Sequence, residues 1–213
     1  MSAAPARKEA PLRRRKVTRE LLLAAARRRI AAHGIAGVTA QEICTEAGYT
    51  RGAFYSNFRD MEELVEAVVA AELRESSEQI KVIASQKPAE IAVGAGPREC
   101  IERILADVMV LIPRRRAAFL ARQELELHLM RDPARAQPWL EAWTDFRGVV
   151  GQAVVEGLKN IGRELTLAPD DVADLILGLT DQHLRAAMLE GRDERSLAAL
   201  RSVLTDLFLA VSR

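Results

Sequence analysis

The sequence predicts an all-α protein of about nine helices, and three observations carry that prediction. Apolar residues recur at helical spacing almost throughout, and no segment alternates apolar and polar residues as a half-buried strand would. Aromatic residues make up only 4% of the chain while alanine and leucine abound, which favours helix over sheet. Capping residues, glycines and prolines then divide the chain at regular intervals. With 213 residues, 49% of them apolar, the chain can bury a core and is not a disordered protein.

Residues 1–16 show no periodicity, two prolines and six basic residues, and are expected to form a mobile basic arm. The first helix is expected over 18–33. Thr18 would cap it, Gly34 would end it, and Leu22, Ala26 and Ile30 would form its buried stripe. A short helix over 40–47 follows, opened by the capping box Thr39-x-x-Glu42 and ended by Gly48. Thr50 caps a third helix over 51–57. Asp60 and Glu63 form a second capping box, which opens a long helix over 61–86.

The Pro- and Gly-containing segment 87–96 reads as a linker. Helices are then expected over 97–112, 114–131, 138–161, 169–190 and 194–211, with Pro138 and Pro169 suited to first turns.

The net charge of +1 hides a division. Residues 1–60 hold 12 Lys and Arg against 5 Asp and Glu, so that stretch carries +7 and the remainder carries −6. Such an asymmetry points to an anionic partner for the first part. Cys44 and Cys100 are too few for a disulfide framework. No apolar run approaches the ~20 residues of a spanning helix, and no secretory signal is present, so a cytoplasmic protein without membrane contact is expected.

The segment 38–58 carries the functional signal. Two short helices joined by a tight turn containing Gly48 make a helix-turn-helix. In the second of them, Phe54 and Phe58 share one face, which leaves Arg51, Gly52, Tyr55 and Ser56 outward. Arg51 can offer paired donors to guanine O6 and N7, and Gly52 lets the backbone approach base edges. Tyr55 and Ser56 can donate to phosphates. Thr39 and Thr50 place hydroxyls and backbone N–H groups toward phosphate oxygens. Gln41 can reach the groove edge or the backbone.

From Thr18 to Leu64 the sequence resembles the TetR family of bacterial transcriptional regulators, through A-x-R-x-I-A-x-x-G, V-T-A-Q-E-I, E-A-G-Y-T-R-G-A-F-Y-S-N-F and D-M-E-E-L. The resemblance implies DNA-contact positions at Thr39, Gln41, Thr50, Arg51, Gly52, Tyr55 and Ser56. It also implies a larger carboxy-terminal domain that dimerises and binds a small molecule. Two departures stand out. Met61 occupies a position where the family commonly has a phosphate-contacting lysine, with Arg59 two residues earlier. Arg29 replaces a usually apolar residue of the first helix and is expected to snorkel to the surface.

The expected organisation is a basic arm at 1–16, a DNA-binding domain at 17–61 and a ligand-binding and dimerisation domain at 62–213. The resemblance implies a homodimer through the helices near 138–161 and 169–190. A dimer would suit a palindromic double-stranded DNA operator. Four of the nine aromatics fall at 119–146. Candidate effector contacts are therefore Phe119, Gln123, Trp143, Phe146 and Arg147, suited to a largely apolar small molecule.

No catalytic, cofactor or metal site is expected. The histidines lie in different helices, and no P-loop, G-x-G-x-x-G or nucleophile elbow occurs. The expected function is a ligand-responsive DNA-binding regulator, in the sense of a repressor released from its operator. The rival readings are an effector-independent architectural protein and a helical enzyme fused to a DNA-binding module.

Overall fold

A computed structural model describes residues 6–86, 95–113, 115–192 and 197–213. Among them are nine α-helices: α1 (Ala6–His33), α2 (Ala40–Ala47), α3 (Arg51–Tyr55), α4 (Met61–Gln86), α5 (Pro97–Met109), α6 (Arg116–Arg131), α7 (Gln137–Asn160), α8 (Pro169–Leu189) and α9 (Ala198–Val211). A 3₁₀ turn, Pro133–Arg135, joins α6 to α7. The extended pairing among the described residues is a single bridge between Leu165 and Ser212. The expected all-α fold is therefore observed. The expected linker falls largely on residues 87–94, outside the described residues.

One boundary differs. α1 begins at Ala6, inside the stretch expected to be an arm, so Thr18 lies in a helix interior. Its hydroxyl donates to the Arg14 carbonyl at 2.9 Å instead of capping a helix start. Ala, Arg, Lys, Glu and Leu dominate this stretch, and all are strong helix formers. Arg14 to Val17 are exposed. A helical turn without a buried face leaves no periodicity to read.

The chain forms two compact units. The first comprises Met1–Ala71 with Ala117–Ala136, and the second Glu72–Arg116 with Gln137–Arg213. The core of the first includes Leu22, Ala26 and Ile30 of α1, Ile43 and Cys44 of α2, Phe54, Phe58, and Leu64 and Val68 of α4. Each fully buried Phe or Leu side chain contributes ~1.5–3 kcal/mol relative to exposure.

In the second unit, α5 packs on α7 and α9, and α7 packs along α8. α7 buries Phe146, Val150, Val154 and Leu158, and α8, packed along it, buries Val172, Ile176 and Leu184. Gly151 marks the closest approach. A Cβ there would lie 2.0 Å from the Pro169 carbonyl oxygen, so only glycine lets the start of α8 pass. The chain end is fixed by Arg163, whose guanidinium donates to the carbonyls of Leu209 and Ser212.

Candidate DNA-reading site

The reading element is assembled by local rules. The Thr39 hydroxyl accepts from the Glu42 backbone N–H, and the Glu42 carboxylate accepts from the Thr39 N–H at 2.9 Å and from its hydroxyl at 2.8 Å. These bonds hold the Glu42 carboxyl below its ordinary range, the Thr39 hydroxyl first. α2 ends at Gly48, whose φ of 73° is left-handed and natural only to glycine. The turn then hands the chain to Thr50, whose hydroxyl accepts from Ala53 N–H and starts α3.

Phe54 and Phe58 are buried with ring centroids 5.7 Å apart and fix the inner face of α3. The Arg19 guanidinium lies 4.9 Å over the Phe58 ring, joining α1 to this anchor. Arg51, Gly52, Tyr55 and Ser56 are all exposed on the outer face, as are Thr39, Gln41 and Thr50. The seven predicted contact residues therefore lie on the solvent side of the α2–α3 pair. A Cβ on Gly52 would meet nothing nearer than the Thr50 hydroxyl at 3.7 Å, so this stretch of α3 is flat.

Arg15 donates to the Ser56 carbonyl at 2.9 Å and so ties the early part of α1 to the end of α3. Arg29 does more than snorkel: it ion-pairs with Glu42 and Glu46, each at 3.4 Å, across to α2. Arg28 adds a 2.7 Å contact to Glu46. Arg59, the candidate stand-in for the missing lysine, is engaged with Glu63 through its Nε at 2.9 Å. Asp60 caps α4 by accepting from Glu63 N–H at 2.8 Å. The second half of that expected capping box differs, because the Glu63 carboxylate accepts from Arg59 N–H instead.

The sequence profile of the bacterial regulatory proteins of the tetR family matches residues 22–68, the segment that builds this site. The match to that family covers the helix-turn-helix and the start of α4. The regulator is similar over 85% of its length to an HTH-type transcriptional repressor of Mycobacterium tuberculosis, at 26% identity and covering 88% of that protein. It is 28% identical to the HTH-type transcriptional repressor AcnR of Corynebacterium diphtheriae, over 84% of this chain and 85% of that one. A TetR-family transcriptional regulator from Mesorhizobium loti shares the fold, with a TM-score of 0.70 at 21% identity, covering 93% of this chain and 98% of that one. The matched segment contains the helix-turn-helix, and the two aligned relatives are named as transcriptional repressors.

The five residues expected to meet an effector fall in both units of the regulator. Phe119 and Gln123 lie in the first. Phe119 is buried with the Arg122 guanidinium 5.5 Å over its ring, and Gln123 donates to Glu126 at 3.1 Å. Trp143, Phe146 and Arg147 lie in the second. Trp143 stacks on Trp139 at 5.5 Å, Phe146 is core, and Arg147 makes a two-pronged pair with Asp174 at 2.7 Å.

A groove of about 610 Å³ in the second unit is lined by other residues, chiefly Ile80 and Ala84 of α4 and Gly148, Val149, Gln152 and Ala153 of α7. It adjoins a narrow apolar cleft lined by Ile80, Ile104, Val108 and Gly157. Sequence reasoning followed the aromatics and passed over this small-residue stripe.

Cys44 is buried, and burial pushes its thiol pKa up, away from reactivity. Cys100 is buried as well. Among the described residues no helix is long and apolar enough to cross a membrane. No three His, Cys, Asp or Glu side chains gather as a metal site among them.

Proposed function

We propose that the regulator is a homodimeric repressor that leaves a palindromic operator when a small, largely apolar effector binds its second unit. The observation that carries the DNA half is the exposed Arg51–Ser56 face on an anchor of two buried phenylalanines. The repressor sense follows the names of the two relatives aligned over most of the chain. Base specificity is assigned to Arg51, with Gly52 allowing close approach. Thr39, Gln41, Thr50, Tyr55 and Ser56 are assigned to the phosphate backbone and groove edge.

For the dimer, the open side of α8 supports the reading. Gly178 is exposed with nothing within 4 Å of a Cβ placed there, and Leu179 and Leu189 are exposed nearby. Paired with α7, this face would form a four-helix bundle with a second copy. Such a dimer would set two reading helices about 34–36 Å apart, one DNA turn.

For the effector, the groove between α4 and α7 has the size of a small-molecule site, with Ile80, Ala84, Val149 and Ala153 beside the polar Lys81, Asp145, Gln152 and Glu156. Trp143, Phe146 and Arg147 are sequence neighbours of its lining residues Thr144, Asp145 and Gly148, whereas Phe119 and Gln123 belong to the first unit and are not assigned to this site. α4 contributes residues to both units and is the proposed connection between effector and DNA. Driving the operator-bound population from 99:1 to 1:99 requires ~5.5 kcal/mol of differential affinity. By reciprocity, operator DNA weakens effector binding by the same factor.

The experiment is a titration of the protein–operator complex with a panel of apolar small molecules, followed by polarisation of labelled DNA. Release by one class of compound supports the proposal. Persistent DNA binding under every compound, with no compound bound to the free protein, favours the architectural reading.

A further inference from the structure

The first turn of α4 is crowded with negative charge. Asp60, Glu62, Glu63 and Glu66 place four carboxylates within seven residues. A helix N-terminus tolerates acids through its dipole. DNA does not, because it carries about one negative charge per 1.7 Å of its axis. Asp60 is four residues beyond Ser56 on the reading face, a reach of at most ~15 Å along the chain. That separation is comparable to the ~8–10 Å over which salt screens exposed charges. Left bare, the four carboxylates would repel the phosphates that the reading helix must approach.

The structure supplies two cations against them. Arg59 takes Glu63, as described. Arg135 takes the other three. It reaches them because Pro133 follows Asp132 and stops α6, and the 3₁₀ turn folds Arg135 back onto α4. Its Nη1 pairs with the Glu62 carboxylate. Its Nη2 lies 3.5 Å from Asp60 and 3.6 Å from Glu66. His128 of α6 faces Glu62 as well, with Nε2 at 3.1 Å. The Arg135 side chain is 24% exposed and that of Glu66 13%, so both charges sit partly out of water. Burial pushes the Glu66 carboxyl up, and Arg135 pulls it back toward the charged form. Nη2 of Arg135 and Oε1 of Glu66 are buried without a well-formed hydrogen bond, so proximity of charge rather than hydrogen-bond geometry holds this contact.

We propose that Arg135 is a positioning residue for DNA binding: it neutralises and fixes the acidic first turn of α4, which allows the reading helix to lie against the phosphate backbone. The proposal rests on the operator-binding reading above. Arg135 lies outside the segment 22–68 that matches the family profile, and its ion partners Asp60, Glu62 and Glu66 are not among the proposed reading residues. Its effect is on charge near the DNA, so it is independent of base sequence and weakens with salt.

The test measures affinity of the full chain for a selected duplex and a random duplex between about 50 and 200 mM salt. The variants are Arg135→Gln, Arg135→Lys, the double variant Glu62→Gln with Arg135→Gln, and Arg51→Ala. The expected result for Arg135→Gln is a loss of roughly tenfold on both duplexes at low salt, shrinking as salt rises. Arg135→Lys should retain most of the affinity, and Glu62→Gln should restore much of what Arg135→Gln loses. Thermal melts accompany each variant. If Arg135→Gln does not fold, the double variant, relieved of one bare carboxylate, serves in its place and should bind near the parent level.

Parental binding by Arg135→Gln at every salt, with Arg51→Ala still losing the selected duplex, overturns the proposal. A defect that Glu62→Gln fails to relieve, or that does not change with salt, overturns it too. No effect of either Arg135→Gln or Arg51→Ala overturns the operator-binding reading itself.

Discussion

Arg51 donates from Nη2 to the Tyr55 hydroxyl at 3.3 Å, and its guanidinium lies 5.7 Å over the Tyr55 ring. The pair is an i,i+4 contact along the exposed edge of α3, and the hydroxyl raises the arginine pKa further. In the free protein Arg51, the arginine proposed to read bases, is thus held along its own helix.

Arg51→Ala is expected to cost ~1–3 kcal/mol on a selected operator and to relax specificity at one base pair of each half-site. Competition binding against single-base operator variants measures this. An equal loss on random DNA would contradict the base-reading role.

Removal of residues 1–16 is expected to flatten the salt dependence of DNA binding. It deletes six cations and the hydrogen bond from Arg15 to the Ser56 carbonyl. The slope of log K against log salt falls by ~0.9 for each phosphate that the protein ceases to neutralise. An unchanged slope would show this stretch to be passive.

Most of the fold was legible because helical punctuation is local. Thr39, Glu42 and Gly48 bound α2 at the predicted residues, and Pro169 opens α8 as expected. The outward set of α3 followed from the single spacing between Phe54 and Phe58. What escaped was either silent or distant. Arg14 to Val17 of α1 are exposed and show no periodicity. The Arg135 cluster joins residues about seventy positions apart, which no local pattern announces. The groove of the second unit is built on Ala84, Gly148 and Ala153, which are small enough to leave space and too common to signal it.

The Thr39–Glu42 capping box links stability to pH. The folded pKa of Glu42 is depressed, so its contribution is present above the ordinary glutamate value and is lost as pH falls through the folded one. Glu42→Gln should therefore lower the melting temperature most near neutral pH, with the difference from the parent closing in acid. Thr39→Ala should cost ~1 kcal/mol, typical of a lost N-cap. A difference independent of pH would contradict the linkage.

Two glycines should respond in opposite ways. Gly151→Ala puts a Cβ against the Pro169 carbonyl and should markedly lower the melting temperature. Gly178 has open space around it, so Gly178→Arg should leave the protomer folded. If α8 is the dimer face, Gly178→Arg should shift sedimentation from dimer to monomer. A parent protein that sediments as a monomer at micromolar concentration would remove the four-helix-bundle assignment.

Selection of duplexes from a random DNA pool by the full chain tests the central claim most directly. The account predicts enrichment of a two-fold symmetric sequence, with half-sites about 10 base pairs apart or slightly more, and loss of that enrichment in Arg51→Ala. Recovery of unenriched DNA, or of a single site without symmetry, would contradict it.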